Sequence, residues 1–317
     1  MKIVILDGYT MNPGDLSWMP ISEQGDLIVY DRTAPSEIIE RVGDAEYVFL
    51  NKTPMDADTI SKIKHVKFIG VLATGFNIVD IEAAKAHGIT VCNVPAYSTD
   101  SVAQLVFAFI LEIAQNAALY SKSVFAGDWA NCADFCYYKA PLFELSGRTL
   151  GIIGFGTIGK AVAKIAQAFG MQVIATARKP IDQSYGVSGV SLDELLQKSD
   201  IITVHTPLVK ETEKLINREN IAKMKDGVIF INTSRGPVVD EAALTEALNS
   251  GKIRAAGVDV VSREPISADN PLLKAKNLLI TPHIGWATKE ARERCIAISA
   301  NTLKKFLDNA PVNVVSL

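Results

Sequence analysis

An arginine, a glutamate and a histidine stand near the ends of apolar runs in the second half of the chain. Arg235 follows one run in Ile231-Asn232-Thr233-Ser234-Arg235-Gly236-Pro237. Glu264 lies in Ser262-Arg263-Glu264-Pro265, just after Gly257-Val258-Asp259-Val260. His283 closes Leu279-Ile280-Thr281-Pro282-His283, with Ile284-Gly285-Trp286 behind it. A guanidinium grips a carboxylate through two parallel hydrogen bonds. A carboxylate beside an imidazole fixes its orientation and favours its protonated form. A protonated imidazole donates to a carbonyl oxygen as hydride reaches the carbon. These are the parts that reduction of a 2-keto acid requires. Singly, each residue has a plainer reading, a surface ion pair for Arg235 above all. Of the four histidines, His65 and His87 fall near predicted helix ends and read as structural. His205 ends a strand and reads as a backbone-positioning residue. Only His283 has a candidate acid, Glu264, in a comparable loop.

The source of hydride is suggested by Thr149-Leu150-Gly151-Ile152-Ile153-Gly154-Phe155-Gly156-Thr157-Ile158-Gly159. Gly154, Gly156 and Gly159 fit G-x-G-x-x-G, a weak pattern alone. Here it follows a predicted strand and opens a predicted helix, the context that gives it meaning. Gly154 permits the tight turn, Gly156 lets backbone approach a pyrophosphate, and Gly159 allows close helix–strand packing. The helix N-terminus offers free N–H groups to the phosphates. Phe155, Thr157 and Ile158 complete the turn, and His205, Thr206, Pro207, Thr233 and Asp259 follow later strands as further cofactor-binding candidates. An acid about 20 residues on marks NAD-binding sites. Here Ala175-Thr176-Ala177-Arg178-Lys179 has none, and the next acid is Asp182. Thr176, Arg178 and Lys179 suit a 2′-phosphate, whereas in the alternative Arg178 covers adenine and Lys179 is a solvated charge. The cofactor is therefore read as NAD(H) or NADP(H), with no metal.

Alternating elements must hold these residues. Strands are predicted at 3–6, 27–30, 47–50, 68–72 and 90–92, each nearly all apolar, as strands buried on both faces are. Helices are predicted at 35–42, 56–63 and 79–87. The second half repeats the pattern, with strands at 149–153, 172–176, 201–204, 228–231, 255–258 and 278–281. Its helices are predicted at 158–169, 192–197, 218–223 and 241–250, with Asp240 as N-cap and Gly251 after the last turn. Such alternation implies an α/β fold with parallel sheets. Long helices at 100–122 and 288–309 flank the second unit. The expected architecture is two doubly wound parallel-sheet domains, a Rossmann cofactor domain inserted into a flavodoxin-like substrate domain. The substrate domain spans 1–98 and 287–317, and the NAD(P)-binding domain spans 99–286. Two chain crossings then make a hinge beside a cleft, whose closure excludes water.

The 317 residues suit two domains. Hydrophobic residues at 48% and charged residues at 21% describe a globular protein rather than a disordered one. A net charge of −3 gives no basic footprint, so nucleic acid is not an expected partner. Cysteines 92, 132, 136 and 295 are too sparse for a disulfide framework and read as reduced thiols of a cytoplasmic protein. Cys132 and Cys136 have the spacing of one helical face. The N-terminus meets Asp7 after four apolar residues, too soon for a signal-peptide core. The apolar segment 102–114 is interrupted by Gln104 and Glu112 and reads as a buried helix, not a membrane span.

The glycine-rich turn with Phe169-Gly170-Met171, the Asn232-Thr233-Ser234-Arg235-Gly236 segment, Asp259 through Glu264-Pro265, and Pro282-His283 resemble the D-isomer-specific 2-hydroxyacid dehydrogenase family over nearly the whole chain. The resemblance implies Arg235, Glu264 and His283 as catalytic residues. It places the substrate carboxylate on backbone amides of Ala73-Thr74-Gly75, alongside Arg235 and His283, and implies a homodimer. Leu6-Asp7-Gly8-Tyr9, Gly14-Asp15-Leu16-Ser17-Trp18, Val71-Leu72-Ala73-Thr74-Gly75 and Pro282-His283-Ile284-Gly285-Trp286 are similar to the glycerate dehydrogenase type. That implies reduction of hydroxypyruvate or glyoxylate. Trp286 is a candidate for the substrate pocket or a subunit contact against a reading as hinge packing, and Lys52 for the cleft against a reading as a solvated loop lysine. The missing acid near Ala177 departs from NAD-preferring relatives, and Glu264 argues against formate dehydrogenases. A chain ending at Leu317 is expected to lack the regulatory domain of many phosphoglycerate dehydrogenases. The alternatives are an NAD(P)-sensing binding protein on the same fold, or a dehydrogenase for a bulkier 2-hydroxy acid.

Overall fold

The computed structural model describes residues 1–316. The chain forms two compact units, Met1–Ser98 with residues 286–316, and Thr99–Gly285. The first unit runs β1 (Lys2–Ile5), α1 (Met19–Ser22), β2 (Asp26–Val29), α2 (Ile38–Val42), β3 (Tyr47–Leu50), α3 (Ala57–Lys62), β4 (Phe68–Val71), α4 (Ile81–Ala86) and β5 (Thr90–Cys92). The second begins with α5 (Thr99–Gln115) and α6 (Ala117–Phe125). It continues through β6 (Thr149–Ile153), α7 (Thr157–Ala168), β7 (Gln172–Thr176), β8 (Ser188–Gly189), α8 (Leu192–Lys198), β9 (Ile201–Val204), α9 (Arg218–Lys223), β10 (Val228–Asn232), α10 (Glu241–Ser250), β11 (Ile253–Val258) and β12 (Leu278–Ile280). Then α11 (Lys289–Leu307) rejoins the first unit.

Strand order in the first unit is β2-β1-β3-β4-β5, the doubly wound order of flavodoxin-like sheets. In the second it is β12-β11-β10-β9-β6-β7-β8, a Rossmann order with one more strand at its end. Every paired strand is parallel. Both faces of each sheet are covered. In the second unit Val106, Phe109 and Ile110 of α5 and Val162 and Ala166 of α7 pack on one side. Leu195, Ile221, Leu244 and Leu248, from α8, α9 and α10, pack on the other. In the first unit Ile38, Ile60 and Ala84 cover one face, and Ile21 with Cys295, Ile296 and Leu303 of α11 covers the other. Burial on two faces explains why the central strands are apolar throughout.

The caps follow the sequence. Asp56, Asp80, Ser191, Asn217 and Asp240 each accept an N–H from the first turn of the helix they precede. Gly251 ends α10 with a left-handed φ of 83°. Arg292, on α11, is 8% exposed. It forks onto both carboxylate oxygens of Asp15 at 2.7 Å and reaches the carbonyl of Met11. That hydrogen bond holds the Asp15 carboxyl below the usual carboxylate range.

Three expectations need correction. The long helix expected over 100–122 is two helices, bent by 56° at Asn116, whose φ is +50°. The strand β2, at the edge of its sheet, is not buried on both faces: Ile28 is 55% exposed. Cys132 and Cys136 lie in irregular chain after α6 rather than on a helix; there the Cys132 thiol approaches the Cys136 carbonyl at 3.6 Å. Among the described residues no single helix is long and apolar enough to cross a membrane. The bent pair α5–α6 passes on length and composition together, but α5 is the helix whose apolar residues fill the core beside β10 and β11.

Candidate active site

Register brings the functional positions of the second unit to one edge. Ile153 pairs with Thr176 and Val204, Val204 with Asn232, Asn232 with Val258, and Val258 with Ile280. The next residues along the chain, Gly154, Ala177, His205, Thr233, Asp259 and Thr281, therefore emerge side by side. Ligands of open α/β sheets bind at this carboxyl edge.

The glycine-rich turn fits a dinucleotide. Gly154 has φ +96°, and a Cβ there would meet the His205 carbonyl at 2.7 Å. A Cβ on Gly159 would sit 2.4 Å from the Gly154 oxygen, so α7 packs against the turn only through glycine. A Cβ on Gly156, the N-cap of α7, would meet nothing within 4 Å, which leaves open space for a phosphate group. The first-turn N–H groups of α7, at Thr157, Ile158 and Gly159, have no intrahelical acceptor, the feature that makes a helix N-terminus suit an anion. His205 and Thr233 add two buried polar atoms, Nδ1 and Oγ1, without a protein partner among the described residues. The other ring nitrogen of His205 lies 2.9 Å from the Thr203 hydroxyl, and burial pushes the imidazole down to about 3. His205 is thus a neutral group with one nitrogen to offer. Thr206 is half-buried and Pro207 exposed just beyond it. Thr176 is half-buried at the end of β7, while Arg178 and Lys179 are exposed along an open groove of about 890 Å³.

Arg235 is set by a turn. The Asn232 amide donates to the Arg235 carbonyl at 3.0 Å, and its Oδ1 accepts from the Ser234 N–H and hydroxyl. A Cβ on Gly236 would lie 1.9 Å from the Val261 carbonyl carbon. Glycine alone allows the Arg235 loop to touch the loop that carries Glu264. That second loop is tied down by Glu241, which accepts from the Ser262 N–H and hydroxyl and from the Asn270 amide. Glu264 then reaches His283, with Oε2 2.6 Å from Nδ1. The structure brings Glu264 and His283 into direct contact and places the Arg235 loop against theirs. Asp259, 2% exposed, accepts from the Thr281 hydroxyl and from the N–H groups of Ile284 and Gly285.

The carboxyl edge of the first unit is built the same way. Asp7, at the end of β1, accepts from the N–H groups of Asn51, Lys52 and Thr53 in the loop after β3. Ala73-Thr74-Gly75 follow β4. The Thr74 hydroxyl donates to the Val94 carbonyl at 2.9 Å, and the Asn93 amide donates to the Thr74 carbonyl at 2.7 Å. Lys52 is exposed and Trp286 half-buried among the apolar residues around α11. Asp7, Asn232 and Glu241 are shaping residues that the sequence reading missed. Their signal is an acid or amide near a strand end or helix start, a position shared by many surface caps.

The family model for the D-isomer specific 2-hydroxyacid dehydrogenase, NAD binding domain, matches residues 107–285. The chain is 52% identical to a hydroxypyruvate reductase of Blautia hydrogenotrophica, over all of both chains. It is 43% identical to a glycerate dehydrogenase of Methylorubrum extorquens, over 90% of each. Among solved structures, an acyclic imino acid reductase in complex with NADPH and D-Arg superposes with a TM-score of 0.88 at 31% identity, covering 99% of this chain and 100% of that one.

Proposed function

The chain belongs to the D-isomer specific 2-hydroxyacid dehydrogenase family, and from that premise we propose that it reduces hydroxypyruvate or glyoxylate to the D-2-hydroxy acid. The observation that carries this reading is the 2.6 Å contact of Glu264 Oε2 with His283 Nδ1, in the same unit as a turn shaped for a dinucleotide. The names of the two relatives, at 52% and 43% identity, support the small substrate.

Gly154-Phe155-Gly156-Thr157-Ile158-Gly159, Thr176, Arg178, His205, Thr206, Pro207, Thr233 and Asp259 would hold NAD(P)H, which would supply the hydride for the carbonyl carbon. Arg235 grips the substrate carboxylate and polarises the adjacent carbonyl. His283 delivers a proton from Nε2 to the carbonyl oxygen as the C–O group becomes an alcohol, and takes it back in the oxidation direction. Glu264 holds the imidazole in that tautomer. The loop Ala73-Thr74-Gly75 binds the carboxylate through its amides, on the family resemblance. The protein works in the cytoplasm as a homodimer. In support of the dimer, Phe125, Phe135 and Tyr138 are 90%, 88% and 81% exposed in and after α6, a degree of aromatic exposure that marks association surfaces.

The test follows absorbance of the reduced nicotinamide with hydroxypyruvate, glyoxylate, pyruvate and bulkier 2-keto acids, with NADH and NADPH separately. The expected result is the highest kcat/KM with hydroxypyruvate or glyoxylate. Preference for a bulky acid overturns the substrate, and cofactor binding without turnover of any acid moves the protein to the binding-protein class.

A further inference from the structure

We propose that the amino edge of the second unit's sheet carries a binding site for a tetrahedral oxyanion, with Arg148, Lys225 and Arg254 as its ligands. The anion is inorganic phosphate or the phosphate group of a monoester. The site does not rest on the reductase reading. Register places it. Ile201 pairs with Leu150 and Ile229, and Val228 with Ile253. The residues that precede or open these strands, Arg148, Asp200, Lys225 and Arg254, therefore gather at the edge opposite Gly154, His205 and Asp259. They line one cavity of about 100 Å³, with Phe143 in its wall. Pockets for drug-sized ligands run to about 300–1,000 Å³, so this one has room for a small ion. A second cavity of about 340 Å³ shares Arg254 and offers space for the organic part of an ester.

Both guanidinium groups lie over the Phe143 ring, with Cζ 4.7 Å from its centroid for Arg148 and 4.8 Å for Arg254. Stacking fixes each plane and leaves the N–H groups on its rim to bond. Each arginine spends one of them on irregular chain between α6 and β6. Arg148 Nε donates to the Glu144 carbonyl at 2.8 Å, and Arg254 Nη2 to the Pro141 carbonyl at 3.4 Å. A guanidinium has five such donors, so most remain. Among the described residues, the arginines that pair with acids are Arg41, Arg218 and Arg292, not these two.

The two acids of the cavity are already spent. Asp200 accepts from Lys225 with Oδ1 and from the Thr149 N–H with Oδ2, both at 2.8 Å. Burial raises its carboxyl, but the Lys225 and Thr149 bonds and the charges of Lys225 and Arg148 together hold it below the usual range. Asp226 pairs with Lys252 at 2.7 Å. A cation at this edge has a plainer use, on the carbonyls that end a helix. Lys252 has that use, donating to Met224, the C-cap of α9, at 2.6 Å. The carbonyls held by Arg148 and Arg254 end no helix. The surplus positive charge is what an oxyanion neutralises, and two planar forks suit its oxygens.

Calorimetric titration of the full-length protein with inorganic phosphate tests this. It is run at constant ionic strength and with saturating NADH, so that the turn at Gly156 is filled. Saturable binding is expected, weakened about tenfold or more in R148Q and in R254Q, the scale of one charge-assisted hydrogen bond. NADH affinity by fluorescence titration is expected to stay unchanged in both. Should R254Q fail to fold, R254K keeps the charge and loses the fork, and a loss of the same order is expected. Glycerol phosphate, titrated alongside, separates the two sources. Tighter binding than inorganic phosphate supports an ester with its organic part in the larger cavity, and equal or weaker binding supports the free ion. A response that never saturates, or that chloride reproduces at the same ionic strength, overturns the proposal and leaves a general salt effect. Saturable binding that is unchanged in every arginine variant also overturns it and moves the phosphate elsewhere on the protein.

Discussion

Glu264 and His283 are 19 residues apart in the chain and 2.6 Å apart in space. They meet because the loops that carry them leave the same edge of two neighbouring parallel strands, β11 and β12. An ionised carboxylate only accepts, so Nδ1 carries the proton of this bond, and in the proposed mechanism Nε2 is left to exchange the reacting proton. Replacing Glu264 with Gln removes that constraint, since an amide pairs with either tautomer. kcat for 2-keto acid reduction is expected to fall about 100-fold, and that of His283→Ala by about 100- to 10,000-fold. NADH binding, measured by fluorescence titration, is expected to hold in both. Turnover near the wild-type rate in His283→Ala would remove it as the acid.

Among the described residues Arg235 is held by Asn232 and Ser234 rather than by an acid, and its Nη1 donates to the Ser234 carbonyl at 2.7 Å. The rest of the fork is free for a planar carboxylate. Arg235→Lys keeps the charge but loses the fork. One charge-assisted hydrogen bond is worth about 1.5–3 kcal/mol, so kcat/KM is expected to drop on the order of 10- to 100-fold. Steady-state kinetics with hydroxypyruvate check this, and an unchanged response to substrate concentration would take Arg235 out of the pocket.

Most elements were legible because parallel strands buried on both faces are apolar without interruption, and the strands at 47–50, 149–153, 172–176 and 201–204 match residue for residue. The break at Asn116 was not legible. Ala117, Ala118 and Leu119 continue the helical composition across it, and only the backbone at Asn116 turns left-handed. Strand β8 has two residues, too few for a periodicity. In the site, Arg235 and His283 were readable as charged or titratable residues after apolar runs. Asp7 and Asn232 were not, because their partners are largely main-chain groups. Asp7 binds N–H groups 44 to 46 residues away, and an N–H carries no residue signature to search for.

Cofactor choice turns on the end of β7. No acid stands at Ala177 to meet a ribose 2′-hydroxyl, and the next two residues, Arg178 and Lys179, are cations. If Arg178 holds a 2′-phosphate, Arg178→Ala is expected to lower kcat/KM with NADPH on the order of tenfold or more while NADH changes little. Equal losses with both cofactors would place Arg178 on the adenine instead.

His205 gives the protein a pH dependence separable from catalysis. Burial takes the imidazole from 6.5 to about 3, so the folded protein refuses a proton that the unfolded chain accepts. Between those two values the unfolded state binds more protons, and stability falls as pH falls. The contribution is complete above about 6.5 and is lost progressively toward about 3, by at most about 1.4 kcal/mol per pH unit. His205→Gln removes this titration and leaves every other group in place. Thermal unfolding of both proteins across that window is expected to show a shallower decline for the variant, so that the difference in Tm shifts in its favour as acid is added. Carboxylates such as Asp15 and Asp200, whose pKa values are also lowered, destabilise both proteins alike on acidification and cancel in the comparison. Two parallel curves would mean that His205 is not held neutral by its surroundings, and would remove the neutral imidazole from the cofactor edge.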